Sequence, residues 1–149
     1  MYKQILIARK DLNLSPGKLS AQISHASMAF LTNMIKANGS QWISDDGIYY
    51  STELFFDQDL FEQWIDGIFT KCVLEAKNKN QLLKAKTMAE VLGMKEGEDF
   101  FLIKDCCLTE LEPEEFDENG VGRTLTCIGF KPMSSEIIDK IGKKYQLYK

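Results

Sequence analysis

The chain has 149 residues, of which 44% are hydrophobic and 27% are charged, and this balance fits one globular domain spanning residues 1–149 with a real hydrophobic core. No apolar run approaches the roughly 18 residues that a membrane span requires, and the N-terminus lacks the layout of a signal peptide. We therefore expect a cytoplasmic protein with no membrane partner.

The net charge of −4 hides an uneven distribution. Residues 37–70 carry seven acids and residues 110–119 carry six, and neither segment contains Lys or Arg. The rest of the chain holds nine acids against all 18 bases, so a basic body with two acidic segments could still bind a polyanion. Acidic segments surrounding the functional pocket would exclude such a partner.

The first half of the chain begins with a short run of branched apolar residues, Gln4–Arg9, which predicts a buried strand. Ser15 as N-cap and Pro16 at the first helical position predict a helix that runs to about Ala37. Its buried stripe is expected to contain Leu19, Ile23, Ala26, Phe30 and Met34. Farther on, Ile48–Thr52 fits a short strand or a loop, and Asp57–Asp66 fits a helix.

The second half repeats the alternation of strands and helices. The predicted strands are Lys71–Ala76, Asp99–Lys104 and Leu125–Phe130, the last two separated by an acidic loop over Leu111–Gly122. The predicted helices are Gln81–Leu92, capped by Asn78 or Asn80 and stopped by Gly93, and a short last helix capped by Ser134, with Ile137, Ile138 and Ile141 facing inward.

This order of elements predicts an α/β fold with three layers, in which a mixed, mostly parallel four-stranded sheet carries helices on both faces. In such sheets, functional side chains gather at the carboxyl ends of strands and at the starts of the helices that follow.

The start of the first helix is one candidate site. Lys18, Gln22 and His25 share one helical face, offset from the apolar stripe. Free backbone N–H groups, the helix dipole and the lysine would favour a phosphate or a carboxylate there, and Gly17 would allow close approach of a ligand. A solvated lysine and a structural histidine remain the alternatives at this point.

The second candidate is Asp105, which follows directly after the third predicted strand and could accept a proton from water. The alternative is an aspartate that only caps a loop. The chain has no Gly-rich phosphate loop and no G-x-S-x-G motif, and its four cysteines and single histidine form no metal pattern. We expect neither a covalent serine mechanism, nor a metal, nor a cofactor.

The segment KQILIARKDLNLSPGKLSAQISHAS (Lys3–Ser27) resembles the opening signature of the type 2 peptidyl-tRNA hydrolase family. That signature is a strand ending in Arg-x-Asp-Leu, then Gly-Lys, then Ala-x-Gln-x-x-His-Ala. Asp105 with Leu108-Thr109-Glu110 is similar to the family's segment after a strand, and Arg123-Thr124-Leu125-Thr126 to its entry into the last strand. The likeness covers most of residues 3–36 and 71–149.

The resemblance implies hydrolysis of the ester between a peptide and the 3′ ribose of tRNA, without metal or cofactor. It places Lys18, His25, Asp105, Thr109 and Thr124 at catalytic positions. Gly17 and Gln22 then fall among the substrate-binding residues. Asp105 would act as base or water-orienting carboxylate, Lys18 would stabilise the oxyanion, and the two threonines would position water or ester oxygens. Peptidyl-tRNA is the implied partner, and the family's frequent dimers raise a homodimer as an assembly.

The chain departs from the family pattern in three places. Cys106-Cys107 replaces Ala-Gly after the aspartate, an acidic insertion of about Glu114–Gly122 leads to Arg123 where glycine is usual, and residues 39–70 are long and acidic. These departures keep two alternatives open. One is a member that binds a protein or small ligand without catalysis, and the other is an esterase or amidase for a smaller acyl substrate.

Overall fold

The computed structural model describes residues 1–149 and contains one main β-sheet, a separate two-stranded hairpin and four helical segments. The strands are β1 (Tyr2–Arg9), β2 (Ser40–Ser44), β3 (Gly47–Ser51), β4 (Lys71–Ala76), β5 (Phe100–Asp105), β6 (Glu115–Phe116), β7 (Gly122–Phe130), β8 (Met133–Ser134) and β9 (Gln146–Leu147). The helices are α1 (Pro16–Asn38), α2, which starts as an α-helical turn (Gln58–Leu60) and continues as a π-helix (Phe61–Ile68), α3 (Lys79–Val91) and α4 (Ser135–Gly142). None of these helices has both the length and the hydrophobicity to cross a membrane.

The main sheet has seven strands in the order β5-β7-β1-β4-β9, with β6 beside β7 and β8 beside β1. Only β1 and β4 form a parallel pair, because β7 runs antiparallel to both β1 and β5. The α/β class and the mixed sheet are confirmed, but the prediction of four mostly parallel strands is wrong. The acidic loop after β5 leads directly back into the neighbouring strand β7, so β7 runs in the opposite direction to β5. The three strands that were not predicted, β6, β8 and β9, are two residues long, which is too short for a detectable periodicity.

Helices cover both faces of the sheet, as predicted, because side chains of β1 alternate between them. Leu6 and Ala8 pack under α1, whereas Ile5 and Ile7 belong to the larger core beneath α3 and α4. Ile138 and Ile141 face that core as predicted, but Ile137 is 45% exposed, so its predicted inward orientation is wrong. In α1, Ala26 and Phe30 are buried, while the other three residues of the predicted stripe are half-buried.

Helix α1 crosses the sheet from one edge to the other. It begins where the sequence predicts, since the Ser15 hydroxyl accepts a hydrogen bond from the Lys18 N–H at 3.3 Å and Pro16 follows the cap. Near its far end, the Asn33 amide donates to the Gly97 carbonyl just before β5. With 23 residues, α1 is about 35 Å long. It therefore starts at the carboxyl edge, where β1, β4 and β5 end, and finishes at the amino edge, where they begin.

The acidic segment 37–70 lies at the amino edge. It contains the end of α1, the hairpin of β2 and β3, and α2, which Asp57 caps through a 2.9 Å bond from the Leu60 N–H. The segment rejoins the sheet at Thr70, whose carbonyl accepts from the Gln4 N–H at 3.0 Å at the start of β1. The first acidic segment is therefore separated from the carboxyl edge by the length of the strands.

Gly129 in β7 allows α1 to approach the sheet closely. A Cβ atom at this position would lie 2.1 Å from the Ala26 carbonyl oxygen, which belongs to the helix backbone and cannot rotate away. We expect Gly129→Ala to lower the free energy of unfolding by about 1–3 kcal/mol, because α1 must shift. Urea denaturation measures this.

The matched control is Gly17→Ala, where an added Cβ has no heavy atom within 4 Å. This helical position should tolerate alanine with a change of less than about 1 kcal/mol. Equal destabilisation by the two substitutions would contradict the close approach of α1 to β7.

Candidate active site at the carboxyl edge of the sheet

Asp105 is the last residue of β5 and lies opposite Thr124 at the start of β7. Its side chain faces the first turns of α1, although the two elements are far apart in sequence. Asp105 Oδ1 accepts hydrogen bonds from Lys18 Nζ at 2.8 Å and from Gln22 Nε2 at 3.0 Å. Its Oδ2 accepts the Cys107 backbone N–H at 2.9 Å. The two candidate segments of the sequence therefore form a single cluster.

The cluster holds Asp105 in its ionised form. Asp105 is 8% exposed, and this burial alone would raise its pKa. The hydrogen bonds from Lys18, the Cys107 N–H and Gln22, with the positive charge of Lys18, outweigh burial and hold the pKa of Asp105 below its ordinary value. The same hydrogen bond and charge raise the pKa of Lys18 above its ordinary value. At neutral pH the pair is a carboxylate beside an ammonium.

A carboxylate oxygen has two lone-pair directions for accepting hydrogen bonds. Lys18 and Gln22 occupy both directions on Oδ1, whereas Oδ2 receives only the Cys107 N–H. Oδ2 therefore keeps one acceptor direction free. Lys18 Nζ likewise uses one N–H on Asp105 and keeps two for another oxygen. The cluster can thus accept a hydrogen bond from one ligand atom, through Asp105, and donate hydrogen bonds to a second ligand oxygen, through Lys18.

Thr126 is a member of the cluster that sequence analysis did not select as a site residue. Its hydroxyl lies 2.7 Å from Gln22 Oε1 and 3.2 Å from the Ile103 carbonyl, and the residue is 1% exposed. Because the Gln22 oxygen is engaged by Thr126, its NH2 group is directed at Asp105. The signal available in the sequence was the two-residue spacing from Thr124, which places both threonines on one face of a buried strand.

Cys106-Cys107 forms the turn that presents Asp105. Cys107 has a φ of 58°, a left-handed conformation that glycine adopts more readily, and its N–H consequently points at Asp105 Oδ2. The Cys107 thiol also lies 3.3 Å from the Thr124 hydroxyl. That hydroxyl donates to the Glu112 carbonyl at 2.6 Å, and Thr124 is 1% exposed, so it anchors the acidic loop from within.

Three sequence-predicted site residues remain at the surface. His25 and Thr109 are exposed, and neither side chain hydrogen-bonds to Asp105, Lys18 or Gln22. Gly17 is exposed beside Lys18 and has open space above it. Gln22, by contrast, is buried, with both ends of its amide engaged inside the cluster. Nowhere in the structure do three His, Cys, Asp or Glu side chains lie close enough together to hold a metal ion. The expectation of a site without metal or cofactor stays a prediction.

The second acidic segment, residues 110–119, borders the site, and half of its acids are paired. Glu114 contacts the buried Arg9 at 2.6 Å and Lys79 at 3.0 Å. The other two ion pairs of the segment are Lys104–Glu115 and Arg123–Asp117. These pairs fix the loop against β1, α3, β5 and β7. Half of its six negative charges are therefore matched by a nearby base.

Glu110 lies beside the N-cap residue of α1. Its carboxylate accepts the Ser15 backbone N–H at 3.0 Å and also contacts the Ser15 hydroxyl. These hydrogen bonds lower the pKa of Glu110. Glu110 therefore binds the N-cap residue of α1, and the prediction that this helix start binds a ligand anion stays a prediction.

The family model described as "Peptidyl-tRNA hydrolase PTH2" matches residues 2–148. A peptidyl-tRNA hydrolase of Methanopyrus kandleri is 35% identical over 142 residues, which cover 95% of this chain and 93% of the relative. Peptidyl-tRNA hydrolases of Thermoplasma acidophilum and Saccharolobus islandicus are 29% and 25% identical, covering 99% and 95% of this chain and 99% and 94% of the relatives. The chain therefore belongs to the PTH2 family of peptidyl-tRNA hydrolases.

Proposed function

We propose that the protein hydrolyses the ester bond between the peptide and the tRNA in peptidyl-tRNA, with water as the nucleophile. The observation that carries the proposal is the largely buried Lys18–Asp105 pair, whose ammonium and carboxylate both keep free hydrogen-bonding capacity. Family membership over nearly the whole chain supports the choice of substrate. We place the activity in the cytoplasm, where translation supplies peptidyl-tRNA. A homodimer stays a prediction that analytical ultracentrifugation would test.

In the proposed mechanism, the free acceptor direction of Asp105 Oδ2 orients the attacking water. The lowered pKa of Asp105 makes it a weak proton acceptor, so its main role is to hold and polarise that water. The two free N–H bonds of Lys18 stabilise the negative charge that develops on the ester carbonyl oxygen. The water oxygen bonds to the carbonyl carbon and the bond between that carbon and the ribose oxygen breaks. One water proton is transferred to the ribose oxygen, the other is released to solvent, and the peptide leaves with a carboxylate.

The remaining residues have supporting roles in this proposal. Gln22 positions Asp105 and does not contact the substrate, because its amide is buried and both of its ends bind within the cluster. Thr124 acts through the Cys107 turn and the acidic loop. His25, Thr109 and Gly17 are exposed, and in this proposal they contact the 3′ end of the tRNA. The proposed catalytic residues are therefore Lys18 and Asp105.

The two alternatives from sequence depended on acidic segments near the pocket. Segment 37–70 lies at the opposite edge of the sheet, and half of the charges of segment 110–119 are paired. The deciding experiment measures release of free tRNA from purified peptidyl-tRNA, beside a small N-acyl amino acid ester. Release of tRNA supports the proposal. Cleavage of the small ester alone would favour the esterase, and cleavage of neither would favour the binding protein.

We expect Thr126→Val to reduce kcat by roughly tenfold, because the Gln22 amide loses the bond that directs its NH2 group at Asp105. Steady-state kinetics with peptidyl-tRNA measure the change. Thr126→Ser keeps the hydroxyl and should retain most of the rate. Since Gln22 helps to lower the pKa of Asp105, the acidic limb of the pH–rate profile should also move to higher pH in the valine variant. Equal rates for both variants would contradict the positioning role.

A further inference from the structure

The carboxyl edge carries a second feature on the opposite side of β1 from Asp105. Four exposed lysines, Lys77, Lys84, Lys143 and Lys144, surround Gln81 and Tyr145 where the start of α3 meets the end of α4. We name them the lysine groove. None of the four forms a salt bridge, whereas five bases nearer the active site do: Arg9, Lys18, Lys79, Lys104 and Arg123. The only acid lining the groove is Glu75.

The groove is a fixed part of the fold. The Tyr145 hydroxyl donates to the Gln81 carbonyl at 2.7 Å, joining the segment after α4 to the first turn of α3. Strand β9 pairs with β4 through Gln146 and Glu75, which holds Lys143 and Lys144 at the level of the carboxyl edge. The Asn78 side chain caps α3, so the positive end of that helix also faces this edge.

The position of the groove relative to Asp105 follows from strand order. Asp105 ends β5, Lys77 follows β4, and these strands are three places apart in the sheet. Neighbouring strands lie about 4.8 Å apart, which gives a separation of about 14 Å along the edge. A polynucleotide whose 3′ end is at Asp105 can cover that distance with a few nucleotides.

The charge of the whole molecule points the same way. Segment 37–70, with seven acids and no base, is at the amino edge, so it repels a polyanion from that edge. Within that edge, the acidic loop occupies the side near β5 and β7, and the unpaired lysines occupy the side near β4 and β9. A polyanion approaching the site is therefore guided to one side of it.

We infer that the lysine groove binds the phosphate backbone of the tRNA acceptor arm while the ester lies at Lys18 and Asp105. This inference rests on the proposed function, which supplies the tRNA. The lysines act as point charges that neutralise phosphates and release counterions, without reading sequence. The groove determines how tightly the tRNA body is held, while the Lys18–Asp105 pair carries the chemistry.

The test compares Lys143→Ala/Lys144→Ala with Lys36→Ala/Lys95→Ala. The control pair is also exposed and unpaired and changes the net charge by the same amount. Lys36 lies in the last turn of α1 and Lys95 precedes β5, both at the amino edge. Binding of deacylated tRNA is measured by fluorescence anisotropy across salt concentrations, and hydrolysis of peptidyl-tRNA by initial rates. Thermal unfolding checks that all variants are folded.

We expect the groove variant to bind deacylated tRNA on the order of tenfold more weakly at 0.1 M salt. Its slope of log affinity against log salt should fall by about two, because two phosphate contacts are lost. The loss in hydrolysis should appear in KM, and Lys143→Arg/Lys144→Arg should restore both binding and KM. The control pair should behave as wild type.

Equal behaviour of the groove variant and the control pair, whether both weaken or neither does, would overturn the inference. Failure of the proposed function is distinguishable, because it appears as a wild type that releases no tRNA. The anisotropy measurement still decides the groove in that case, since it needs tRNA binding and not hydrolysis.

Discussion

Asp105→Asn is expected to lower kcat for hydrolysis of peptidyl-tRNA by about 10²–10⁴-fold. The substitution removes the negative charge that orients water. It also places an NH2 group against either the Cys107 N–H or the Lys18 and Gln22 donors, because both carboxylate oxygens of Asp105 accept hydrogen bonds. Single-turnover release of tRNA measures the chemical step directly.

The matched control is Glu115→Gln, which makes the same chemical change in an exposed carboxylate paired only with Lys104. Its effect on the rate should be less than a few-fold, since surface ion pairs contribute little. A folded Asp105→Asn protein that retains the wild-type rate would remove Asp105 from the mechanism.

Lys18→Ala is expected to reduce kcat by about 10²–10³-fold, the usual loss when one donor to a developing oxyanion is removed. A second effect follows from the coupling of the pair. Burial raises the pKa of Asp105, and without Lys18 only the Cys107 N–H and Gln22 lower it, so the pKa of Asp105 should rise. The acidic limb of the pH–rate profile should therefore move to higher pH in the variant.

The same coupling affects stability. The pKa of Asp105 is lower in the folded protein than in the unfolded chain, so the pair stabilises the fold at pH values above the unfolded pKa. This contribution is lost as the pH falls through the folded pKa. Lys18→Ala should thus be less stable than wild type at neutral pH, and the difference should shrink in acid. Urea denaturation at several pH values measures this.

Lys104→Ala provides the control for Lys18, because it removes a lysine whose partner is an exposed glutamate. It should leave both the acidic limb and the rate near wild type. A Lys18→Ala protein with an unchanged acidic limb would contradict the coupling of Lys18 to Asp105, even if its rate were low.

The sequence by itself determined the features that lie within one element. Ser15 and Pro16 set the start of α1, and the helical period placed Lys18 and Gln22 on one face, because positions within a helix follow from local backbone geometry. The alternation of elements also determined the α/β class and the helices on both faces. Both segments that contribute to the Lys18–Asp105 cluster were found as candidates in this way.

Only the tertiary structure decided which distant residues meet. Lys18 and Asp105 are 87 residues apart, and Gln22 and Thr126 are 104 apart, so no local period relates them. The direction of β7 and the edge that receives segment 37–70 likewise depend on long-range strand pairing. A period of 3.6 or 2 residues specifies a face, whereas strand order and direction come from packing the whole chain into one core. For that reason the acidic segments in the sequence suggested repulsion of tRNA phosphates from the site. In the fold, segment 37–70 lies at the opposite edge of the sheet, and half of the acids of segment 110–119 are paired with bases.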